Sequence, residues 1–221
     1  MLDIILSNMS GIEILIYSVS FLLAIMLAFG LHEFSHAYVA VKQGDLTPKA
    51  FGRLTLNPFR HIDPLGFMLL ILVGFGWAKP VPINPLKFKN YRKGLFFTSI
   101  AGVTTNLILA FFSMGLLFLT TKYFNNNNYS SMFLMVFFTY FTYLNIGLFV
   151  FNLLPVYPLD GYNVLVSLLK PTNKLLMFIR KYGMYIILGL MLSQILSIGL
   201  SYLVEYIAYP FEQFWSWIFN I

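Results

Sequence analysis

The chain contains no cysteine, and only 10% of its 221 residues are charged. The first absence excludes a disulfide framework and any thiolate metal site. The second argues against a soluble enzyme, whose composition runs to about 25% charge. It argues equally against a disordered chain and a nucleic-acid binder, which rely on dense charge. Acidic groups are the scarcer sign, 8 against 14 Lys and Arg, for a net charge of +6. With 59% of residues hydrophobic, that excess reads as basic loops on one side of a membrane rather than as a surface for an acidic partner. Composition therefore points to an integral membrane protein.

Spacing between charges locates the spans. Uncharged stretches run over 14–31 (18 residues), 94–121 (28), 123–159 (37) and 182–204 (23). A crossing helix needs about 20 apolar residues, which predicts four transmembrane helices near 12–40, 94–120, 131–153 and 182–204. Pro64–Ala78 is apolar but too short to cross, and basic residues flank both of its ends, which predicts a re-entrant or interfacial segment. Lys49–Asn57 and Lys79–Lys89 read as short edge strands or turns. Asn125–Asn128 reads as a loop, and Met1–Ser10 lacks the basic region of a cleaved signal peptide. The aromatic run after Tyr206 reads as an interfacial anchor. The expected fold is thus an all-α polytopic membrane protein, about four transmembrane helices plus a re-entrant or interfacial segment with short β-strands. It forms one domain, with a core over about 12–165 and a C-terminal helix and aromatic tail over 175–221.

Under this topology 13 of the 14 basic residues share a side, all but Lys122. The positive-inside rule makes that side cytoplasmic and places both termini outside.

Chemistry enters at His32-Glu33-Phe34-Ser35-His36. An H-E-x-x-H pattern on a helix sets two imidazoles one turn apart on one face, where they can share a metal ion. Glu33, beside the first ligand, is placed to hold and deprotonate a water. With three His and four Glu in the chain, chance produces the pattern roughly once in a thousand such sequences. Ionisable groups in a membrane helix are costly, and a shared cation offsets that cost. A hydrolytic zinc site normally has three protein ligands. His61 is the one remaining histidine, and His61 with Asp63 reads better as a loop pair before Pro64. Asp160 is the better third ligand: it closes a long uncharged span, and the topology returns it to the side of His32 and His36. Pro155, Pro158 and Gly161 interrupt the helix there and let its carboxylate turn inward.

These motifs resemble the site-2 protease family of intramembrane zinc metalloproteases, in particular small bacterial and archaeal members without a PDZ domain. The resemblance rests on HEFSH (32–36), NLLPVYPLDG (152–161), GRLTLNPFRHIDPLG (52–66) and GWAKPVPINP (76–85). It implies Zn2+ held by His32, His36 and Asp160, with Glu33 as catalytic base. It further implies that Asn152 positions substrate or stabilises the oxyanion. A third family element reads Ala101-Gly102-Val103-Thr104-Thr105-Asn106, with valine where members often carry proline. Asn106 is open between packing and a role at the site. The implied function is hydrolysis of peptide bonds in membrane-protein substrates, within the bilayer and toward the cytoplasmic side of a bacterial or archaeal membrane. The unwound substrate would pair with the strands expected at 49–57 and 79–89. The rival readings are a transporter and a non-catalytic zinc-binding membrane protein. Against the first stands the lack of repeated broken helices; against the second, an intact Glu33.

Overall fold

A computed structural model describes residues 9–73, 76–124, 128–170 and 172–220. The expectations for 1–8, for the Asn125–Asn128 loop at 125–127 and for 74–75 of the short apolar segment fall outside the described residues.

Helix α1 spans Gly11–Gln43. Ser10 and Glu13 form a reciprocal capping box at its start, which satisfies backbone donors that a membrane helix end cannot leave bare. At 33 residues it is about 50 Å long, long enough to cross a bilayer and still carry residues 32–36 as regular helix. Helices α4 (Tyr91–Tyr123) and α5 (Tyr129–Leu153) begin on asparagine caps, Asn90 and Asn128. The three helices pack against one another through small residues, among them Ala24, Ala28, Ala37, Ala40 and Ala110, all 0% exposed. Small side chains let backbones approach closely where lipid supplies no hydrophobic drive between helices. Ser113 and Thr142 join α4 to α5 through a 2.7 Å hydroxyl–hydroxyl bond.

The basic connection between α1 and α4 holds no strand among the described residues; a single antiparallel bridge joins Ile62 to Ala78. This corrects the expected strands at 49–57 and 79–89. Pro48 starts a short helix, α2 (Thr47–Ala50), because its fixed φ suits a first helical turn. Pro58 and Pro85 start 3₁₀ turns in the same way. Pro80, Pro82 and Pro85 remove ladder donors from the second stretch. Helix α3 (Pro64–Val73) has 10 residues, about 15 Å and half of a bilayer core. The bridge and the 2.8 Å bond from Lys79 N–H to the His61 carbonyl set its two flanks side by side. The two flanks of the segment thus lie next to each other.

Helix α6 (Asp160–Leu168) follows α5 after a break. The expected single helix over 182–204 is instead divided at Ser193–Gln194 into α7 (Lys174–Leu192) and α8 (Ile195–Phe219). Packing overrides propensity here. Phe111 of α4 meets Phe211 and Trp215, the Trp215 indole donates to the Phe111 carbonyl at 2.8 Å, and Ala208 sits in a cluster with Ala110, Met114, Ile146 and Val150. The aromatic tail is therefore partly a docking face rather than purely an interfacial anchor; Trp217, 72% exposed, keeps the outward role. Lys122 near the end of α4 donates to the Phe219 carbonyl, so α8 runs parallel to α4 and completes the bundle. By length and apolarity α1, α4, α5 and α7 can cross a membrane.

Candidate active site and metal centre

His32 and His36 lie on the face of α1 that meets α4. Their Nε2 atoms are 3.0 Å apart. Asp160, first residue of α6, brings Oδ2 to 3.3 Å from His32 Nε2 and 3.1 Å from His36 Nε2. The three residues picked out in the sequence therefore converge from two separate elements. Gly161 makes this possible: a Cβ there would fall 2.2 Å from the Leu153 carbonyl oxygen, so only glycine lets α6 start so close to the end of α5. Gly102 has the same task on α4, since a Cβ would stand 2.5 Å from both His32 Cε1 and His36 Nε2.

Hydrogen bonds set the imidazole tautomers. Asn145 on α5 donates its amide to the Phe141 carbonyl at 2.7 Å, which turns its Oδ1 toward Asn106. Asn106 Nδ2 donates to that oxygen at 2.7 Å and presents its own Oδ1 to His32 Nδ1 at 2.5 Å. A carbonyl cannot donate, so the relay fixes the proton on His32 Nδ1 and the lone pair on Nε2. His36 Nδ1 meets the Thr98 carbonyl at 2.7 Å and is fixed in the same sense. Asp160 Oδ2 is buried without a hydrogen-bond donor. Three acceptor lone pairs thus converge in a buried pocket.

Glu33 lines the same cavity of about 330 Å³, and its Oε2 accepts the Val81 N–H at 2.9 Å. Val81 belongs to a proline-rich strap, residues 79–85, that lines one side of the cavity. Asp45 anchors the strap: its Oδ2 accepts Asn84 N–H at 2.6 Å and its Oδ1 accepts Thr47 N–H at 2.9 Å. Two of the strap's N–H groups, those of Val81 and Asn84, are therefore engaged by side chains. Asn152 lines the cavity with one amide hydrogen on the Leu148 carbonyl at 3.0 Å. His61 and Asp63 stay in the loop, His61 against the Thr55 carbonyl and Asp63 capping Gly66 N–H. Asn145, Thr98, Val81 and Asn163 join the site without having been singled out in the sequence. Asn145 had a readable signal, a buried-type polar residue within an apolar span; the backbone groups of Thr98 and Val81 had none.

The profile of Peptidase family M50 matches residues 121–196. "Putative zinc metalloprotease YwhC" of Bacillus subtilis is 47% identical over 150 residues, covering 67% of this chain and 68% of that protein. The chain belongs to peptidase family M50. Two more relatives bear the name "Putative zinc metalloprotease Rip2". The one from Mycolicibacterium smegmatis is 31% identical over 178 residues, 78% of this chain and 66% of its own. The one from Mycobacterium tuberculosis strain H37Rv is 32% identical over 174 residues, 76% and 64% respectively. The chain thus spans about two thirds of the length of these relatives. No solved structure matches the chain.

Membership makes the protein an integral-membrane zinc metallopeptidase of the site-2 protease kind, with Zn2+ as cofactor. The M50 chain's own atoms fit that ion. Two neutral imidazoles and a carboxylate are a hydrolytic zinc donor set. In a tetrahedral site with bonds near 2.0–2.1 Å the donors stand about 3.3–3.4 Å apart; the observed 3.0–3.3 Å edges match.

Proposed function

We propose that the protein hydrolyses peptide bonds in or near transmembrane segments of membrane-protein substrates, with its active site toward the cytoplasmic face of the cell membrane. The observation that carries this reading is the convergence of three metal-competent lone pairs beside a further carboxylate, Glu33, on the same apolar helix. His32, His36 and Asp160 hold the zinc. When bound, zinc supplies Lewis acidity that polarises the scissile carbonyl and eases loss of a proton from water.

The remaining work falls to side chains. Glu33 accepts the proton of the attacking water and delivers it to the leaving amine. The Val81 N–H holds one Glu33 oxygen, which orients the other toward the cavity. The Asn152 amide, which keeps a second N–H beyond its bond to Leu148, donates to the developing oxyanion. Among the described residues the strap forms no strand, and two of its N–H groups, those of Val81 and Asn84, are held by Glu33 and Asp45. The cytoplasmic assignment rests on the 13 basic residues gathered at the site end.

The test uses purified protein and a transmembrane substrate. Wild type is expected to carry one zinc and to cleave. Glu33→Gln keeps the metal and loses activity by about 10²–10⁴-fold, while Asp160→Ala loses metal affinity. Zinc retention by Asp160→Ala at wild-type affinity removes the third ligand from the scheme, and cleavage by Glu33→Gln at the wild-type rate removes the base.

A further inference from the structure

Outside the metal centre the molecule has a second cavity, of about 400 Å³, lined by Phe51, Arg53, Phe59, Arg60, Ile62 and Lys79. Three of its six lining residues are cations. Arg53 is only 9% exposed, and its guanidinium donates to the carbonyls of Arg60 and Lys79. That clamps the two flanks of α3 together, so that three cationic residues line one space. Among the described residues no carboxylate comes within ion-pair distance of any of them; the ion pairs found are those of His32 and His36 with Asp160. The nearby acids are committed elsewhere, Asp45 to the N–H groups of Thr47 and Asn84 and Asp63 to that of Gly66. A largely buried guanidinium without a counter-charge is costly unless an anion joins it.

The apolar part of the lining says what kind of anion. Phe51 is 68% and Phe59 72% exposed, and α3, which begins two residues after Ile62, carries Leu65 at 53% and Met68 at 50% exposed. Exposed apolar groups around a cationic hollow, beside a half-bilayer helix, match the boundary where a lipid headgroup meets its acyl chains. A soluble anion would engage the cations and leave that rim unused.

We propose that Arg53, Arg60 and Lys79 form a binding site for the phosphate of an anionic phospholipid, whose acyl chains lie along Phe51, Phe59 and α3. The lipid neutralises the loop cations and seats the re-entrant segment, and through Lys79 it holds the start of the strap that carries Val81. The shared chemistry is a phosphate oxyanion, and the apolar rim selects the lipid over free phosphate.

Native mass spectrometry of the full chain released from detergent micelles tests this, with dioleoylphosphatidylglycerol, dioleoylphosphatidylcholine and inorganic phosphate as separate probes. Wild type is expected to retain phosphatidylglycerol in preference to phosphatidylcholine. Arg60→Gln with Lys79→Gln spares the Arg53 clamp; it should weaken phosphatidylglycerol retention roughly tenfold or more, at about 1 kcal/mol per cation, and leave zinc content unchanged. Phe59→Ala should weaken it with the charges intact. The equally charge-depleted Lys170→Gln/Lys174→Gln protein should retain the lipid as wild type does. Equal retention of both lipids overturns the proposal, as does undiminished phosphatidylglycerol retention by Arg60→Gln/Lys79→Gln. Uptake of inorganic phosphate without lipid preference overturns it too.

Discussion

Asn106 shows how much of a metal site can reside in a residue that touches no metal. Its Oδ1 fixes the His32 proton on Nδ1, and Asn145 fixes Asn106 in turn. Asn106→Leu keeps the volume and removes the acceptor, so His32 can place its proton on Nε2 and lose its metal lone pair. Zinc affinity is expected to fall about 10–100-fold, the range for such supporting partners, read by competition with a chromogenic chelator. Asn106→Asp retains an acceptor and should recover most of that loss. An effect confined to bundle stability, with zinc affinity unchanged, would show Asn106 to be packing alone.

At the scale of elements, two attachments decide the architecture around the site. Asp45, fully buried, ties the strap to the end of α1. Burial raises the pKa of its carboxyl, but the Thr47 and Asn84 hydrogen bonds outweigh that and leave it below the usual value. A depressed folded pKa means that the contribution is complete above the unfolded value, about 3.9, and is lost as pH falls through the folded one. Asp45→Asn should therefore cost about 1.5–3 kcal/mol at pH 7, as for hydrogen bonds to a charged group. Its thermal unfolding should also decline less than that of wild type between pH 5 and pH 3. The second attachment is α8 on α4. Trp215→Ala removes an indole packed on Phe111 and Gly115 together with its bond to the Phe111 carbonyl. A loss of about 3–5 kcal/mol is expected. Limited proteolysis at the Ser193–Gln194 junction should accelerate while zinc content stays near wild type, because α8 contributes nothing to the ligand set.

For the molecule as a whole, the metal is also a staple. Three donors from α1 and α6 converge without donors of their own to satisfy them, so zinc stabilises the folded form by binding it selectively, by about 2.7 kcal/mol at 100 times the dissociation constant. Chelation should lower the thermal midpoint of wild type and of Glu33→Gln, with recovery on zinc addition; Asp160→Ala should show neither effect. Much of this was legible in the chain itself. H-E-x-x-H at 32–36 needs only helical periodicity to become a metal face, and scarcity of charge made Asp160 conspicuous. Hydropathy located α1, α4 and α5 because a bilayer imposes length and apolarity on each span separately. Hydropathy could not divide 182–204, since the stretch is apolar on both sides of the break at Ser193–Gln194, where Gln194 takes a left-handed backbone. Nor could alternation of residue types reveal that Val81 and Asn84 would give their N–H groups to Glu33 and Asp45 rather than to a strand. The sequence by itself determined the membrane class, the two histidines with their glutamate, and the side of the bundle to which Asp160 returns, because these follow from local spacing and transfer free energy. Tertiary structure decided the tautomers, the strap over Glu33 and the cationic hollow at Arg53, because each is made by groups distant in the chain whose partners exist only once the helices have packed.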